Sequence, residues 1–320
     1  MPFSNYPQGF SQGITIRGVP IMQTNPGKVF WVSNAATILG GQRGGSDGNR
    51  GTYESPFASL NYAISQCIAN RGDIIVIKPG HAETVSSATA LNLNIAGVAI
   101  VGLGSGTNRP KFTLDTANTA TIPVSADNIS VQNCQFFANF LSIAACFTVA
   151  SAKEFAVQNC YFRDTSSILN FLNIVKTTGG ANTADGLVFN DNIVINLGVT
   201  SNNTTILTAN TIDRLNLSRN YLKWAVQNDV AIGVIVTAGI LTNLIAVENL
   251  GYRPNTTTAG GSFINVGGTT STGIVANNKI QTLTTTTDLL FTTTVGLAAF
   301  NNLVTGAVGA SGFLIPAADS

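Results

Sequence analysis

Hydrolysis of a glycosidic bond needs two carboxylates roughly 5 to 9.5 Å apart, one to give a proton and one to attack or to activate water. The acids available for this between the second repeat and the C-terminal tail are Asp164, Asp185, Asp191, Asp213, Asp229, Glu248 and Asp288. Asp164 with Asp191 makes the most plausible pair, and Asp185 could replace either member. The only histidine, His81, stands in Pro79-Gly-His-Ala-Glu83. As a general base it would need Glu83 or another acid to orient it and a cleft to work in; directly after an apolar run, it reads more simply as a turn residue. With one histidine and no Gly-x-Ser-x-Gly elbow, a serine triad is not expected.

The other reactive groups point away from chemistry. Cys67, Cys134, Cys146 and Cys160 follow no CxxC or Cys/His metal spacing and read as buried free thiols. The glycine-rich stretch Gly40 to Gly51 lacks the Lys-Ser/Thr ending of a phosphate-binding loop and reads as a flexible or partner-ordered segment. Its arginines, Arg43 and Arg50, are expected to pair with acids of a neighbouring subunit. Two tryptophans, Trp31 and Trp224, are too few for an aromatic sugar platform. Neither a metal nor an organic cofactor is expected.

Composition narrows the partners. Of 320 residues, 10% are charged and 44% hydrophobic, and the net charge is +1; an ordinary soluble domain carries about 25% charged residues. Such a chain offers no electrostatic footprint to nucleic acid or to an anionic membrane. Mean hydropathy is +0.26, yet no window approaches the ~20 consecutive apolar residues of a spanning helix. The N-terminus shows no secretory leader pattern, so synthesis and retention in a cytosol are expected until assembly.

What must position any site is a repeat. Ile129-Ser-Val-Gln-Asn-Cys-Gln-Phe136 returns about 26 residues later as Phe155-Ala-Val-Gln-Asn-Cys-Tyr-Phe162. Further copies follow at Leu187–Val194, Leu215–Leu222, Ile245–Tyr252, Gly273–Ile280 and Leu297–Val304. Apolar residues alternate with period two on both sides of a parity break, which means strand, corner, strand. The corner column reads Cys134, Cys160, Asn192, Asn220, Leu250, Asn278 and Asn302. Asn tolerates the left-handed conformation of a tight corner, and stacked Asn side chains can hydrogen-bond from rung to rung. Asp191 shares a column with Asn159 and Arg219, so Asp191 and Arg219 are expected to pair across adjacent rungs.

Stacked rungs of this kind predict an all-β fold, a single right-handed parallel β-helix. With Asp73–Gly80 and Gly97–Gly104 as the first rungs there are about nine, on the order of 40 Å of solenoid. An amphipathic helix at about 55–70, with Ser55 as N-cap, Pro56 in its first turn and Phe57, Leu60, Ile64, Cys67 and Ile68 on one face, is expected to cover the first rung. The organisation is therefore residues 1–50, an extended arm and glycine-rich loop; 51–305, the β-helix; and 306–320, a tail. The arm's apolar anchors Phe3, Tyr6, Phe10 and Ile14 suit docking on a partner.

The run Gly44-Gly-Ser-Asp-Gly-Asn-Arg-Gly-Thr-Tyr-Glu-Ser-Pro-Phe57, followed by the helix and Gly72-Asp-Ile-Ile-Val-Ile-Lys-Pro-Gly80, resembles the opening of pectate-lyase-like right-handed β-helix proteins, most of all those of bacteriophage virions. The resemblance covers roughly 28–305 and implies a homotrimeric particle component. The polygalacturonase-like set Asn-Thr-Asp, Asp-Asp, Gly-His-Gly and Arg-Ile-Lys is absent, as is a cluster of acids to hold the calcium of a pectate lyase. The expectation is a non-enzymatic, homotrimeric capsid decoration (cement) protein on the outer surface of a phage head, with the major capsid protein as partner. The alternative is a tail spike, receptor-binding protein or polysaccharide depolymerase.

Overall fold

The structure, a computed structural model, describes residues 15–16, 19–20, 27–35, 43–198, 204–225, 232–253, 262–266, 270–282, 289–291 and 296–305. Phe3, Tyr6, Phe10, Ile14, Asp229, Asp288 and the 306–320 tail lie outside them.

Three parallel sheets run side by side along a parallel β-helix. Sheet I has ten strands: Val29–Val32, Ile74–Ile77, Ala99–Gly102, Ser130–Gln132, Ala156–Gln158, Val188–Asn190, Asn216–Ser218, Leu244–Val247, Gly273–Ala276 and Leu297–Phe300. Sheet II has nine, from Ala82–Val85 and Lys111–Leu114 through Tyr161–Asp164 to Leu303–Thr305, and sheet III seven, from Ile122–Val124 to Leu289–Phe291. Val29–Val32 pairs with Ile74–Ile77, so sheet I begins one rung earlier than the sequence predicts. Thr15–Ile16 and Val19–Pro20 form a separate antiparallel pair.

The alternation seen in the sequence becomes burial. Val131, Val157, Phe189, Leu217, Ala246 and Val275 point inward from sheet I and are almost fully buried. From sheet II, Phe112, Phe136 and Phe162 stack ring on ring, with centroids 5.6 and 5.1 Å apart. No rung can bury its own inward residues, so the core exists only because rungs stack.

Two corner columns turn the chain. Between sheets I and II, the left-handed residues are Asn133, Asn159, Asp191, Arg219, Glu248, Asn277 and Asn301, one position before the column expected to bend. The residue that follows each of them points inward and forms the ladder: Cys134, Cys160, Asn192, Asn220, Asn249, Asn278 and Asn302, all buried. The fifth copy is therefore shifted by one from the predicted register. Asn249 holds the ladder position, Leu250 is exposed, and Leu222 pairs with Gly251 instead of Tyr252. A side chain at Gly251 would meet the methyl groups of Ile232 and Ile280 at 2.7 and 2.8 Å, so the core is already full there. The second column, between sheets III and I, places Asn128, Glu154, Gly186, Arg214 and Asn243 at positive φ.

The helix covering the first rungs is shorter than predicted, Leu60–Ser65, and Ser59 is its N-cap, its hydroxyl accepting from the Tyr62 N–H at 3.3 Å. Ser55 fails as the cap because Phe57 is drawn into an isolated parallel bridge with Val32. Leu60, Ala63 and Ile64 are buried, while Ile68 is exposed. The glycine-rich loop, over its described residues, is not free. Asp47 accepts from the N–H groups of Ala58 and Ser59 and from the Ser59 hydroxyl at 2.8–3.0 Å, and the Asn49 amide bonds the carbonyls of Gly44 and Pro56. Below it, buried Asp73 receives the N–H groups of Lys28 and Ile68 and both arms of Arg71. Burial works against its charge, but Arg71 and these N–H groups prevail and hold the carboxyl below its usual range.

Candidate functional site

Asp164 ends a sheet II strand and points into the coil, 1% exposed. Its carboxyl oxygens accept the N–H of Phe171 at 2.9 Å and of Leu197 at 2.7 Å, tying two successive turns together. Burial disfavours its charged form and pushes its pKa to about 7, against the opposing pull of these N–H groups. A carboxyl titrating there has the proton affinity of a general acid, but it faces no solvent.

Asp191 lies at the other end of the same sheet, on the outer surface of the corner. Its two oxygens take the Arg219 guanidinium at 2.7 and 2.8 Å, the expected adjacent-rung pair. Arg219 holds the Asp191 carboxyl below its usual range. Asp164 follows Arg163, which pairs with Ile195 in the next rung, and Asp191 comes two residues before Ile193, which pairs with Tyr161. A four-residue strand, about 10 Å from first Cα to last, therefore lies between the two acids, and they take opposite faces of the wall. The geometry does not bring this pair together.

Asp185 and Asp213 belong to the other corner. Asp185 accepts the Asp213 N–H at 2.9 Å, and Asp213 accepts the Thr242 hydroxyl and the Asn243 amide at 2.7 and 2.8 Å. Those two donors, first of all, hold the Asp213 carboxyl below its usual range. Asp127 begins the same ladder by accepting the Lys153 N–H. The sequence carries a signal for this column that the repeat analysis passed over: Asp127-Asn-Ile, Asp185-Gly-Leu and Asp213-Arg-Leu each precede a sheet I strand.

His81 is buried and fully occupied. Its Nδ1 accepts the Asn34 N–H at 3.1 Å, which leaves Nε2 to donate to Glu83 at 3.1 Å. Glu83 in turn accepts the Leu60 N–H at the start of the helix. The pair joins the first strand, the second sheet and the helix, and serves as a turn. Trp224 is buried with its indole N–H on Thr205, and Trp31 lies edge-on to Tyr53. All four cysteines are free and buried. Burial pushes Cys67 and Cys160 up to about 12 and the other two well above the usual thiol range. Arg43 and Arg50 are exposed.

The asparagine column is bonded through both ends of its side-chain amides. Each Oδ1 accepts the backbone N–H of the preceding rung's column residue: Asn192 from Cys160, Asn220 from Asn192, Asn249 from Asn220, Asn278 from Asn249 and Asn302 from Asn278, at 2.8–3.0 Å. Each Nδ2 donates to a sheet I carbonyl of the preceding rung, as Asn249 does to Leu217. Buried amides paired in this way carry no desolvation deficit.

An open groove of about 420 Å³ lies on the outer face of sheet II, lined by Thr107, Lys111, Thr113, Gln135, Phe137, Asn139 and Thr165. Its lining holds one cation and no carboxylate. Among the described residues, no three His, Cys, Asp or Glu side chains gather as a metal site.

These features define a parallel β-helix protein whose polar residues chiefly build corners. No family model and no curated protein matches the chain. Among solved structures it is similar to a rhamnogalacturonan lyase, at 12% identity over 86% of this chain and 87% of that one, with a TM-score of 0.46. A likeness of that size says nothing about chemistry, which rests on the residues themselves.

Proposed function

We propose that this chain is a non-enzymatic structural protein of a bacteriophage particle, a homotrimeric decoration (cement) protein on the outside of the head that stabilises the shell. The observation that carries the non-enzymatic part is the use made of the acids. Asp164, Asp185, Asp191 and Asp213 are each engaged in closing a corner or joining rungs, and the groove on sheet II contains none of them. The particle part is supported by the resemblance of the 44–80 opening, by the low charge and by the apolar anchors of the N-terminal arm. In this reading Phe3, Tyr6, Phe10 and Ile14 bury against the major capsid protein, exposed Arg43 and Arg50 pair with acids of a neighbour, and many modest contacts resist outward pressure.

Deletion of residues 1–26 tests it, since this leaves Lys28 and its bond to Asp73 in place. The truncated protein should fold with an unchanged melting curve and fail to bind particles. Undiminished binding would remove the arm from the mechanism. Cleavage of a capsular or wall polysaccharide by the intact chain would replace this reading with the depolymerase one.

A further inference from the structure

We infer that the outer face of sheet I is the surface by which one copy of this chain meets another. The inference rests on the homo-oligomer in the reading above and is independent of the particle. The ten strands turn alternate side chains outward, of which Asn190, Ser218 and Ala276 are buried at the corner, and none of these outward positions is charged. Charge is placed instead along both borders of the sheet, with Glu154, Asp213 and Arg214 on one corner and Asp191, Arg219 and Glu248 on the other. Sheet II, by contrast, presents Lys111, Arg163, Lys223 and Lys279 from its strands.

An uncharged centre within a charged rim is the anatomy of a protein interface. Left in water, an uncharged sheet face of this length, apolar at both ends, is an aggregation hazard. At the strand spacing of parallel sheets it is about 43 Å long and about 13 Å wide. That is about 560 Å² in plan before side-chain relief is counted, the same order as the ~800 Å² each partner gives to a standard interface.

The chemistry along the face favours a second copy as its occupant. The first rungs present Val29, Trp31, Ile74 and Val76, and the last present Ile245, Ile274 and Phe300. Val29, Ile245, Ile274 and Phe300 are 49, 44, 44 and 51% exposed. Between these apolar ends the strands present Ser130, Gln132, Gln158 and Asn216. Gln132 Nε2 donates to Gln158 Oε1 within the chain at 3.2 Å, and Asn216 Oδ1 accepts the Ser218 hydroxyl. The Gln132 oxygen and the Gln158 and Asn216 NH2 groups are left as acceptor and donors for the same groups of a second copy. A surface apolar at both ends and amide-rich in the middle is matched by itself, whether the copies run parallel or antiparallel. Three such faces turned toward a common axis enclose an uncharged core between charged corners, as the homotrimer requires.

Sedimentation of the purified full chain tests the inference. The wild type should sediment as an oligomer, and Ile245→Glu with Ile274→Glu should reduce the mass to that of one 33.3 kDa chain with an unchanged melting curve. Lys223→Glu, on sheet II, should leave the oligomer intact. Should the isoleucine variant fail to fold, Gln132→Lys with Gln158→Lys places charge on the same face without touching the core, and should give the same monomer. A monomeric wild type would overturn the inference, as would an oligomer indifferent to charge on this face. Failure of the particle reading is distinguishable: a chain that associates through sheet I yet is absent from particles leaves this inference standing.

Discussion

Arg214 reaches across an intervening rung to Glu154, Nη1 to Oε1 at 2.9 Å, and the residue it passes over is Gly186. A Cβ on Gly186 would stand 2.3 Å from the Glu154 carboxylate, and the glycine is itself left-handed, with φ +73°. The backbone thus requires glycine here, and a side chain would displace the end of the partly exposed Glu154 from its ion pair.

Gly186→Ala is therefore expected to destabilise the fold by about 1–2 kcal/mol from the backbone, with the loss of an exposed ion pair adding less than ~1 kcal/mol. In a Glu154→Gly background the same substitution should cost less, because only the backbone contribution remains. Urea titration of the four proteins checks this; an equal cost in both backgrounds would show that the carboxylate does not occupy the space.

The asparagine ladder predicts a contrast between buried and exposed polar groups. Asn249 accepts from the Asn220 backbone N–H and side-chain amide and donates to Leu217 and Asn278. Asn249→Ala leaves several of these groups buried without partners and should cost about 3 kcal/mol. Asp191→Asn, at a corner where both partners are about half exposed, should cost less than ~1 kcal/mol.

Asp164 makes stability depend on pH. Its pKa is raised to about 7 in the folded chain, so the folded state keeps a proton that the unfolded chain has lost. The resulting stability is complete below the ordinary carboxyl value and is lost as pH rises through about 7. The lowered carboxyls of Asp73, Asp191 and Asp213 act the other way, and only in acid. Between pH 5 and 8, Asp164→Asn should thus flatten the fall in stability seen in the wild type. An unchanged slope in thermal melts at these two pH values would place the titrating group elsewhere.

The thiols give a fourth expectation. Buried and raised in pKa, Cys67, Cys134, Cys146 and Cys160 should stay unmodified by a thiol reagent in the native protein and all react once it unfolds. Rapid modification of any of them under native conditions would contradict the packing.

The solenoid was legible because its repeat enforces one residue type at one place. Cys134, Cys160, Asn192 and Asn220 hold the same place in successive copies, and the ladder follows from Asn chemistry. The register slipped at Asn249 because Val247, Leu250 and Tyr252 imitate the alternation, while the true inward residue, Gly251, has no side chain to reveal it. The second corner column escaped because Asn128, Glu154, Gly186, Arg214 and Asn243 share a backbone conformation and no chemical type. Asp164 and Asp191 could not be judged from spacing, since inward and outward differ only by where the corner falls. The helix began later than its sequence suggests because Phe57 gains more by bridging to Val32 than by starting a turn.

The central claim is that the chain is a structural component present in many symmetric copies, and the most direct test is its copy number in purified particles, by quantitative mass spectrometry against the most abundant shell protein. The account predicts a ratio near a simple fraction of that protein, on the order of hundreds of copies set by symmetric closure. A few trimers per particle, or none, would contradict it.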